Sequence, residues 1–300
     1  MNEDKSLHTI LITGSNGQLG QELQGLSYTH SWKGYRFLFT DLDNLDITRE
    51  EQVKQFFHSN RVDCLINCAA YTNVDKAESE PEAAMLANAR AVEWLVTVCA
   101  VNNTPIIHVS TDYVFDGTKP VPYREEDPAS PVSVYGKSKL EGEKAVLGYT
   151  NGTVVRSSWL YSPNGKNFFS TIHAMASEKD QLNVVYDQVG TPTYARDLAR
   201  VLLIMAVSSL SGKNTDIHGL FHYSNEGVCS WYDFAIEIVR LTGRHCRINP
   251  IETSQYPLPA RRPHFSVLNK TKIRSRLSID IPHWKDSLIS CIDQLDIKDD

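Results

Sequence analysis

Short apolar runs alternate with amphipathic stretches along the first half of the chain. The apolar runs predict strands at residues 8–13, 36–40, 62–67, 105–110 and 153–156. Helical periodicity between them predicts helices at residues 18–26, 50–58, 81–101 and 134–147. Strands that read as continuous apolar runs are typical of parallel sheets covered on both faces. The pattern therefore predicts an α/β protein with a Rossmann-type, doubly wound parallel sheet.

The texture of the sequence changes after about residue 157. Turn-forming residues cluster at 162–167, 190–192 and 257–263, and helical periodicity returns at 195–208 and 230–241. We therefore expect a main domain at residues 1–156, with returning segments at about 182–222. A smaller C-terminal α/β lobe is expected at about 157–181 and 223–290.

Composition and charge narrow the class of protein. Hydrophobic residues make up 41% of the chain and the formal net charge is −6, so we expect no nucleic-acid partner, which normally needs a basic surface. The sequence shows neither a signal peptide pattern nor a run of eighteen apolar residues, so we expect a cytoplasmic protein without a membrane span. The six cysteines and ten histidines lack metal-ligand spacing, which predicts no bound metal.

A glycine-rich loop lies between the first predicted strand and the first predicted helix, with the spacing G-x-x-G-x-x-G. Glycines let the chain turn sharply and let backbone amides at a helix N-terminus approach a pyrophosphate. The loop therefore predicts that the main domain binds NADPH or NADH, which leaves the smaller lobe to bind the substrate. The loop residues expected to contact the cofactor are Gly14, Asn16, Gly17, Gln18, Leu19 and Gly20.

Further cofactor contacts are expected at the ends of the second and third strands. Asp41 follows the second strand, where a carboxylate hydrogen-bonds a ribose hydroxyl and disfavours the 2′-phosphate of NADP. Asp46 and Ile47 are expected to border the adenine. Beyond the third strand, small side chains leave space for a cofactor that crosses the strand ends. The residues expected there are Ala69, Ala70, Tyr71 and Thr72.

Two later segments contain candidate catalytic residues. The string Ser-Thr-Asp-Tyr at 110–113 follows a buried strand, so its side chains emerge at the carboxyl edge of the sheet, where such folds bind ligands. Tyr135 and Lys139 are four residues apart on a helix and share one face. We expect the Lys139 ammonium to lower the pKa of Tyr135, which would then donate a proton, and both to contact the cofactor. Thr111 is expected to hydrogen-bond a substrate carbonyl oxygen as charge develops on it.

Six segments carry a resemblance to a known family. They read NCAAYTNVDKAES at 67–79, STDYVFDG at 110–117, VYGKSKLEGE at 134–143, RSSWLY at 156–161, DQVGTPT at 187–193 and PARRP at 259–263. With the glycine loop, they resemble the extended short-chain dehydrogenase/reductase superfamily and, within it, the dTDP-4-dehydrorhamnose reductase family. The resemblance covers nearly the whole chain.

The resemblance implies a reaction and roles for individual residues. The family delivers hydride to C4 of dTDP-4-dehydro-β-L-rhamnose, giving dTDP-L-rhamnose. Thr111, Tyr135 and Lys139 are implied to be the catalytic trio, and Asn88 to help hold a proton-relay water. The residues implied to bind this dTDP-4-keto-6-deoxy sugar are Thr111, Asp112, Tyr113, Tyr135, Trp159 and Arg262. Trp159 would stack against the sugar, and Arg262 rather than Arg261 would bind the diphosphate, because a guanidinium presents a fork to phosphate oxygens.

The resemblance also bears on metals and assembly. Some members of the family are described as dimers bridged by magnesium on glutamates. Glu22 matches one such position, but Arg196 stands where a second acid is expected. A hard divalent cation needs several oxygen ligands, so this departure argues against a bridging metal and leaves a homodimer open.

Two other functions share these motifs. A related nucleotide-sugar epimerase or dehydratase uses the same Tyr–Lys core, although a dehydratase usually needs an acidic pair and Asp112 has no adjacent glutamate. A non-catalytic dinucleotide-binding subunit, similar to the regulatory subunit of methionine adenosyltransferase, also keeps the motifs. The combined motifs favour the reductase.

Overall fold

The computed structural model describes residues 7–211 and 217–299, with side chains described through residue 295. The expectation of no signal peptide rests partly on residues 1–6, which lie outside the described residues. Residues 212–216, within the predicted returning segment, also lie outside them.

The strands confirm the predicted runs to within a few residues. In chain order they are β1 His8–Thr13, β2 Tyr35–Thr40, β3 Cys64–Asn67, β4 Ile106–Thr111, β5 Gly152–Ser157, β6 Leu160–Tyr161, β7 Gln181–Val185, β8 Val189–Gly190, β9 Thr193–Tyr194, β10 Gly219–His222, β11 Cys229–Ser230 and β12 Arg247–Ile251. The central sheet has six of them, in the order β10-β5-β4-β3-β1-β2. All five neighbouring pairs are parallel. The strand order reverses between β1 and β3, which makes this the topological switch point.

Helices cover both faces of the sheet, which confirms the doubly wound fold. They are α1 Gln18–Ser27, α2 Glu50–Ser59, α3 Val74–Ala77, α4 Pro81–Met85, α5 Ala91–Val101, α6 Val134–Leu147, α7 Phe168–Glu178, α8 Ala195–Leu210, α9 Trp231–Leu241, α10 Thr271–Leu277 and α11 Trp284–Asp299. On β1, Ile10 and Ile12 pack with α1 and α8, while Leu11 packs with α2, α5 and α6. This alternation is why the strands read as continuous apolar runs.

The helix predicted at 81–101 contains an irregular segment. Between α4 and α5, Leu86–Arg90 forms a π-helical turn, and Asn88 within it is fully buried. By length and composition alone Pro81–Val101 could cross a membrane, but Val92, Leu95 and Val98 pack in the apolar cluster against the central sheet. A core helix has this burial pattern.

A second apolar cluster lies outside the central sheet and is built mainly by α7, α9 and α11. Three two-stranded pairs accompany it: parallel β6–β9, parallel β7–β12 and antiparallel β8–β11. The chain was predicted to return to the main domain at about residue 182, and the structure differs here. Leu182 and Val184 of β7 still pack in this second cluster, and the first segment to rejoin the main cluster is α8. Conversely, Ile273 of α10 packs with the main cluster although 223–290 is predicted for the smaller lobe. The residues of β7 give no local sign of this placement, because its partner strand, β12, is distant along the chain.

We predict that Gly142→Ala destabilises the protein. A Cβ at Gly142 of α6 would lie 2.1 Å from the carbonyl oxygen of Asn88, a backbone atom in the π-helical turn. Overpacking of this kind costs about 1–3 kcal/mol of unfolding free energy, measured by urea denaturation. The matched control is Gly148→Ala at the end of α6, where a Cβ would lie 3.4 Å from the carbonyl oxygen of Lys144, an ordinary contact distance. Equal stability of the two variants would contradict the packing described here.

Candidate active site

The glycine loop lies at the switch point between β1 and β3. Gly14 has a φ of +68°, and a Cβ there would lie 2.6 Å from the backbone nitrogen of Ala69, beyond β3. A Cβ at Gly20 would lie 2.4 Å from the carbonyl oxygen of Gly14. The absence of side chains lets the loop pack directly on the backbone that follows β3 and lets α1 begin directly against the loop. Gly17 caps α1 without a side-chain hydrogen bond, so the amides of its first turn can receive an anionic group.

Asp41 braces the same loop from the end of β2. Its Oδ2 accepts a hydrogen bond from the Asn16 amide at 2.8 Å, and its Oδ1 accepts one from the Leu42 amide at 2.9 Å. The structure therefore places the predicted ribose-binding carboxylate beside the predicted loop. Gln18 points toward the smaller lobe, where its Nε2 donates to the carbonyl oxygen of Leu160 at 3.3 Å.

Several predicted cofactor residues have structural contacts of their own. Leu19 and Ile47 are only 5% and 4% exposed and pack in the core, so contacts with a cofactor would have to come largely from their backbone. Asp46 accepts hydrogen bonds from the amide and hydroxyl of Thr48, at 2.9 and 2.6 Å. The Leu19 and Ile47 side chains therefore belong to the core, and the Asp46 carboxylate is engaged by Thr48.

The segment after β3 forms the other wall of this cleft. The predicted residues there are Ala69, Ala70, Tyr71 and Thr72, and they range from half-buried to exposed. The Ala69 amide donates to Asn67 Oδ1 at 3.2 Å, and the Tyr71 hydroxyl donates to Glu80 at 2.8 Å. The segment is thus held in place by hydrogen bonds at both of its ends.

Thr111 and Tyr135 meet at the carboxyl edge of the sheet. Thr111 ends β4, its hydroxyl donates to Asp112 Oδ1 at 3.0 Å, and it lies near enough to Tyr135 to lower the pKa of that phenol. Ser133 caps α6 by accepting from the Gly136 amide at 3.1 Å, which fixes the first turn carrying Tyr135. The ring of Tyr113 packs edge-on against Tyr135, with centroids 5.6 Å apart. The structure therefore brings the side chains of Tyr135 and Thr111 together at this edge.

The predicted effect of Lys139 on Tyr135 is wrong for this arrangement. Burial raises the pKa of Tyr135 to about 12, opposed by the nearby Thr111 hydroxyl. Lys139 is 2% exposed, and its Nζ donates to the carbonyl oxygen of Val109 at 2.7 Å, so the ammonium is directed at β4. Burial lowers the pKa of Lys139 to about 8, opposed by the charge of Glu143. Desolvation thus favours the neutral form of both groups.

A chain of buried polar groups lies beneath Lys139. Its Nζ is 3.3 Å from Nε2 of His108, whose Nδ1 is 2.9 Å from Nδ2 of Asn67. Thr13 at the end of β1 donates to Oδ1 of Asn67 at 2.7 Å. Burial holds the pKa of His108 well below its usual range. These contacts connect the glycine-loop strand to α6, and the predictions from sequence missed His108 because a lone histidine in an apolar strand resembles core.

The π-helical turn places the Asn88 side chain between the segment after β3 and helix α6. Its Oδ1 accepts from the Tyr71 amide at 2.8 Å, and its Nδ2 donates to the carbonyl oxygen of Tyr71 and to the Ser138 hydroxyl, each at 3.0 Å. The amide thus joins the cleft wall to α6. Ser138 precedes Lys139, so Asn88 contacts the helix that carries the predicted catalytic pair.

A cavity of about 850 Å³ opens beside Tyr113 and reaches into the smaller lobe. Its lining combines apolar side chains of α7 and β7 with a group of basic side chains. The basic residues in the lining are Lys166, Arg261, Arg262 and His264. The lining also contains one carboxylate, Asp75. This excess of positive charge suits an anionic ligand.

Arg262 is engaged by that carboxylate. Its Nη2 and Nη1 lie 2.7 and 3.0 Å from the two oxygens of Asp75 on α3, and this ion pair holds the pKa of Asp75 below its usual range. A guanidinium fork occupied by a carboxylate has less capacity for phosphate oxygens. The predicted preference for Arg262 over Arg261 is therefore weakened, because Arg261 is exposed on the same cavity wall.

Trp159 is stacked on a second tryptophan. Its ring lies parallel to that of Trp231, with centroids 3.5 Å apart and 6° between planes, and its backbone has a φ of +47°. Trp231 lines the cavity, whereas the Trp159 ring is packed on Trp231 and lies so close to Gly190 that a Cβ there would come within 2.6 Å of it. The sequence-based predictions missed Trp231, which begins α9 directly after the cap residue Ser230 and is partly buried against the second apolar cluster.

Glu22 and Arg196 contact each other within the chain. Arg196 Nη1 lies 3.4 Å from Oε2 of Glu22, and Asn164 donates to Oε1 at 3.2 Å. A cation therefore stands beside the carboxylate that the resemblance associates with magnesium. Among the described residues, no group of three or more histidine, cysteine or acidic side chains is arranged to hold a metal ion.

The fold and the site together define a class of protein. A glycine loop at the switch point, a Tyr–Thr pair at the strand end and a buried lysine one helical turn on are the parts of a nicotinamide-dependent oxidoreductase of the short-chain dehydrogenase/reductase type. The sequence model of the family described as RmlD substrate binding domain matches residues 8–297. The chain belongs to this family.

Similar proteins cover almost the same length. The dTDP-4-dehydrorhamnose reductase of Sinorhizobium fredii is 40% identical over 93% of this chain and 94% of its own. A crystal structure of a Clostridium acetobutylicum dTDP-4-dehydrorhamnose reductase has a TM-score of 0.89 and 41% identity, and covers 96% of this chain and 99% of its own. The Bacillus anthracis enzyme, solved in complex with NADP, has a TM-score of 0.90 and 33% identity, and covers 96% of this chain and 100% of its own.

We predict that Asp112→Asn stabilises the protein above about pH 6. Burial raises the pKa of Asp112 from 3.8 to about 6, so the ionised carboxyl is penalised in the folded state. The penalty is fully present above that pH and disappears as pH falls through this window. The variant should gain up to about 3 kcal/mol in unfolding free energy near pH 8 and converge with the wild type near pH 4.

Urea denaturation across this pH range measures the effect. Asp116→Asn is the control of opposite sign, because the Thr118 amide lowers the pKa of Asp116 and the ionised form is the favoured one. A difference between wild type and Asp112→Asn that stays constant with pH would contradict the assignment.

Proposed function

We propose that the protein transfers a hydride from NADPH or NADH to the C4 ketone of dTDP-4-dehydro-β-L-rhamnose, giving dTDP-L-rhamnose. The observation that carries the proposal is the placement of Tyr135, at the start of α6, next to Thr111 at the carboxyl end of β4, on the sheet edge that also carries the glycine loop. The names of the S. fredii, C. acetobutylicum and B. anthracis relatives supply the sugar. The product is a deoxysugar precursor for cell-surface polysaccharides.

The cleft at the switch point fits a dinucleotide. Gly14 and Gly20 let the loop and α1 pack closely at the strand ends, and amides at the start of α1, which no side chain caps, would hold the pyrophosphate. Asp41 would accept from a ribose hydroxyl. When bound, the cofactor supplies the hydride. The NADP complex of the B. anthracis relative supports this assignment.

Tyr135 would give a proton to the substrate oxygen. A phenol whose pKa is about 12 transfers a proton readily only to a strong base, and the alkoxide that forms as hydride reaches the ketone is such a base. Thr111 would hydrogen-bond the same oxygen, which requires its hydroxyl to turn away from Asp112. Both donors act at the position where negative charge develops.

Lys139 and Asn88 would support this centre. We assign Lys139 to the cofactor ribose, from a position fixed by Val109 and His108. Both protons of the Asn88 amide are donated to Tyr71 and Ser138, so its contact with a relay water would use the remaining lone pair of Oδ1.

The cavity beside Tyr113 would hold the sugar nucleotide. Tyr113 and Asp112 lie next to Thr111, and Arg261 and Lys166 add positive charge suited to a diphosphate. Arg262, paired with Asp75, would contribute from the side of its guanidinium that the carboxylate leaves open. Trp231 would present the aromatic face assigned to Trp159, which stacks on it. We assign substrate binding to the smaller lobe and dinucleotide binding to the main domain, in a cytoplasmic enzyme without nucleic-acid or membrane partners.

We predict that Tyr135→Phe lowers kcat by about 100-fold or more, because the proton donor is lost while the ring remains. The assay follows oxidation of NADPH or NADH with dTDP-4-dehydro-L-rhamnose and identifies the sugar product. Tyr149→Phe is the control: its hydroxyl contacts the carbonyl oxygens of Cys99 and Thr104, at the opposite edge of the sheet. Turnover of Tyr135→Phe within a few-fold of wild type would refute the mechanism. An epimerase, a dehydratase or a regulatory subunit would give no rhamnose product with any variant.

We predict that Asp41→Asn lowers KM for NADPH and leaves KM for NADH nearly unchanged. The amide keeps an oxygen that accepts from the Asn16 backbone but removes the charge that repels a 2′-phosphate. The change in the ratio of the two KM values should be about tenfold, which corresponds to a single repulsive charge contact. Asp43→Asn, an exposed neighbour, is the matched control. An unchanged ratio in Asp41→Asn would place the adenosine ribose elsewhere.

A further inference from the structure

Helix α6 carries a buried acid one turn beyond Lys139. Tyr135, Lys139 and Glu143 are four residues apart and lie along one helix face. Glu143 is 0% exposed, and its partner Arg156 on β5 is 3% exposed. Moving both charges out of water costs about as much as their attraction returns, so stability alone gives little reason for such a pair.

Both oxygens of Glu143 are held by neighbouring strands. Arg156 places Nη2 at 2.7 Å from Oε2 and Nε at 2.9 Å from Oε1. The Ser110 hydroxyl at the end of β4 donates to Oε1 at 2.5 Å. Because Ser110 directly precedes Thr111, this one carboxylate joins α6 to the strand end that carries the substrate-facing hydroxyl.

Arg156 extends the connection across the sheet. Its Nη1 lies 3.5 Å from Nε2 of His222 on β10, and its guanidinium lies 5.0 Å from the centre of the Phe115 ring. Phe115 follows the turn that contains Asp112 and Tyr113. The carboxylate of Glu143 is thus the point where α6, β4 and β5 are fixed relative to one another.

Four titratable groups face Lys139 from the elements packed against it. They are His108 of β4, Cys68 after β3, and Tyr135 and Glu143 of α6. The pKa of His108 is well below its usual range, and those of Cys68 and Tyr135 are both about 12, so these three are uncharged near neutral pH. Among the four, Glu143 supplies the negative charge that favours the ammonium form of Lys139.

We propose that Glu143 is a positioning residue for the reductase reaction. It holds the register of α6 against the end of β4, so that Tyr135 meets Thr111, and it keeps Lys139 in the ammonium form. The inference rests on the proposed function. It goes beyond that function because it assigns the protonation of Lys139 to a residue that touches neither substrate nor cofactor.

The test is the pH dependence of kcat/KM in Glu143→Gln. The amide keeps the shape of the side chain and an oxygen for Ser110 and Arg156 but removes the charge beside Lys139. The pKa of Lys139, now about 8, should fall, so the alkaline limb of the profile should move to lower pH by about half a unit. NMR of lysines labelled at the terminal methylene reports the same titration without turnover. Glu141→Gln on the exposed face of α6, where Glu141 pairs with Lys144, is the matched control and should leave both curves unchanged.

A second variant covers the case in which Glu143→Gln does not fold. Glu143→Gln alone leaves Arg156 buried without its partner, which is strongly destabilising. The double variant Glu143→Gln/Arg156→Met removes both charges and should fold, with the same shift in the alkaline limb and in the lysine signal.

Each outcome decides the proposal. A shift in Glu143→Gln, or in the double variant if the single one does not fold, supports it. A folded variant whose Lys139 titrates as in wild type overturns it. Failure of the proposed function would be seen separately, as wild-type protein that does not oxidise NADPH or NADH with the dTDP-sugar, and the NMR titration would still report on Glu143.

Discussion

The rest of the site depends on how closely α6 approaches its neighbours. A Cβ at Gly136 would lie 2.2 Å from the carbonyl oxygen of Tyr113, and one at Gly142 would lie 2.1 Å from that of Asn88. With no side chains at these contacts, helix backbone packs directly on strand-end and π-helical backbone. This approach brings Tyr135 to Thr111 and Ser138 to Asn88. The distance between helix and sheet therefore sets the geometry of the chemistry.

The same close packing determines the electrostatics. Excluding water raises the pKa of Tyr135 to about 12 and lowers that of Lys139 to about 8, so each group is pushed toward its neutral form. A tyrosine that holds its proton is suited to act once a basic oxygen has formed. A lysine that would otherwise lose its charge needs a nearby anion, and the buried Glu143 stands one turn away. The charge of Glu143 thus offsets the cost of desolvating the Lys139 ammonium on the same helix.

Local patterns predicted much of this structure. Apolar runs and the glycine loop identify the sheet and the cleft, because burial on both faces and a sharp turn each leave a signal within a few residues. The partners of long-range contacts leave none: Arg262 pairs with Asp75 across 187 residues, and β7 pairs with β12. The π-helical turn at Leu86–Arg90 was likewise hidden, since its composition differs little from that of an α-helix. Sequence therefore identifies candidate groups better than it identifies their partners.

Costly burial is concentrated where function needs it. Asp112, Lys139, Glu143 and Asn88 are all at most 2% exposed, and all lie at or near the carboxyl edge of the sheet. The three large apolar clusters are built from the strand interiors and the helices around them, and from the smaller lobe. Burial in those clusters must offset the free-energy cost of the polar edge, because groups there remain unfavourably ionised at neutral pH. A separation of this kind lets the edge be arranged for reaction while the fold is held elsewhere.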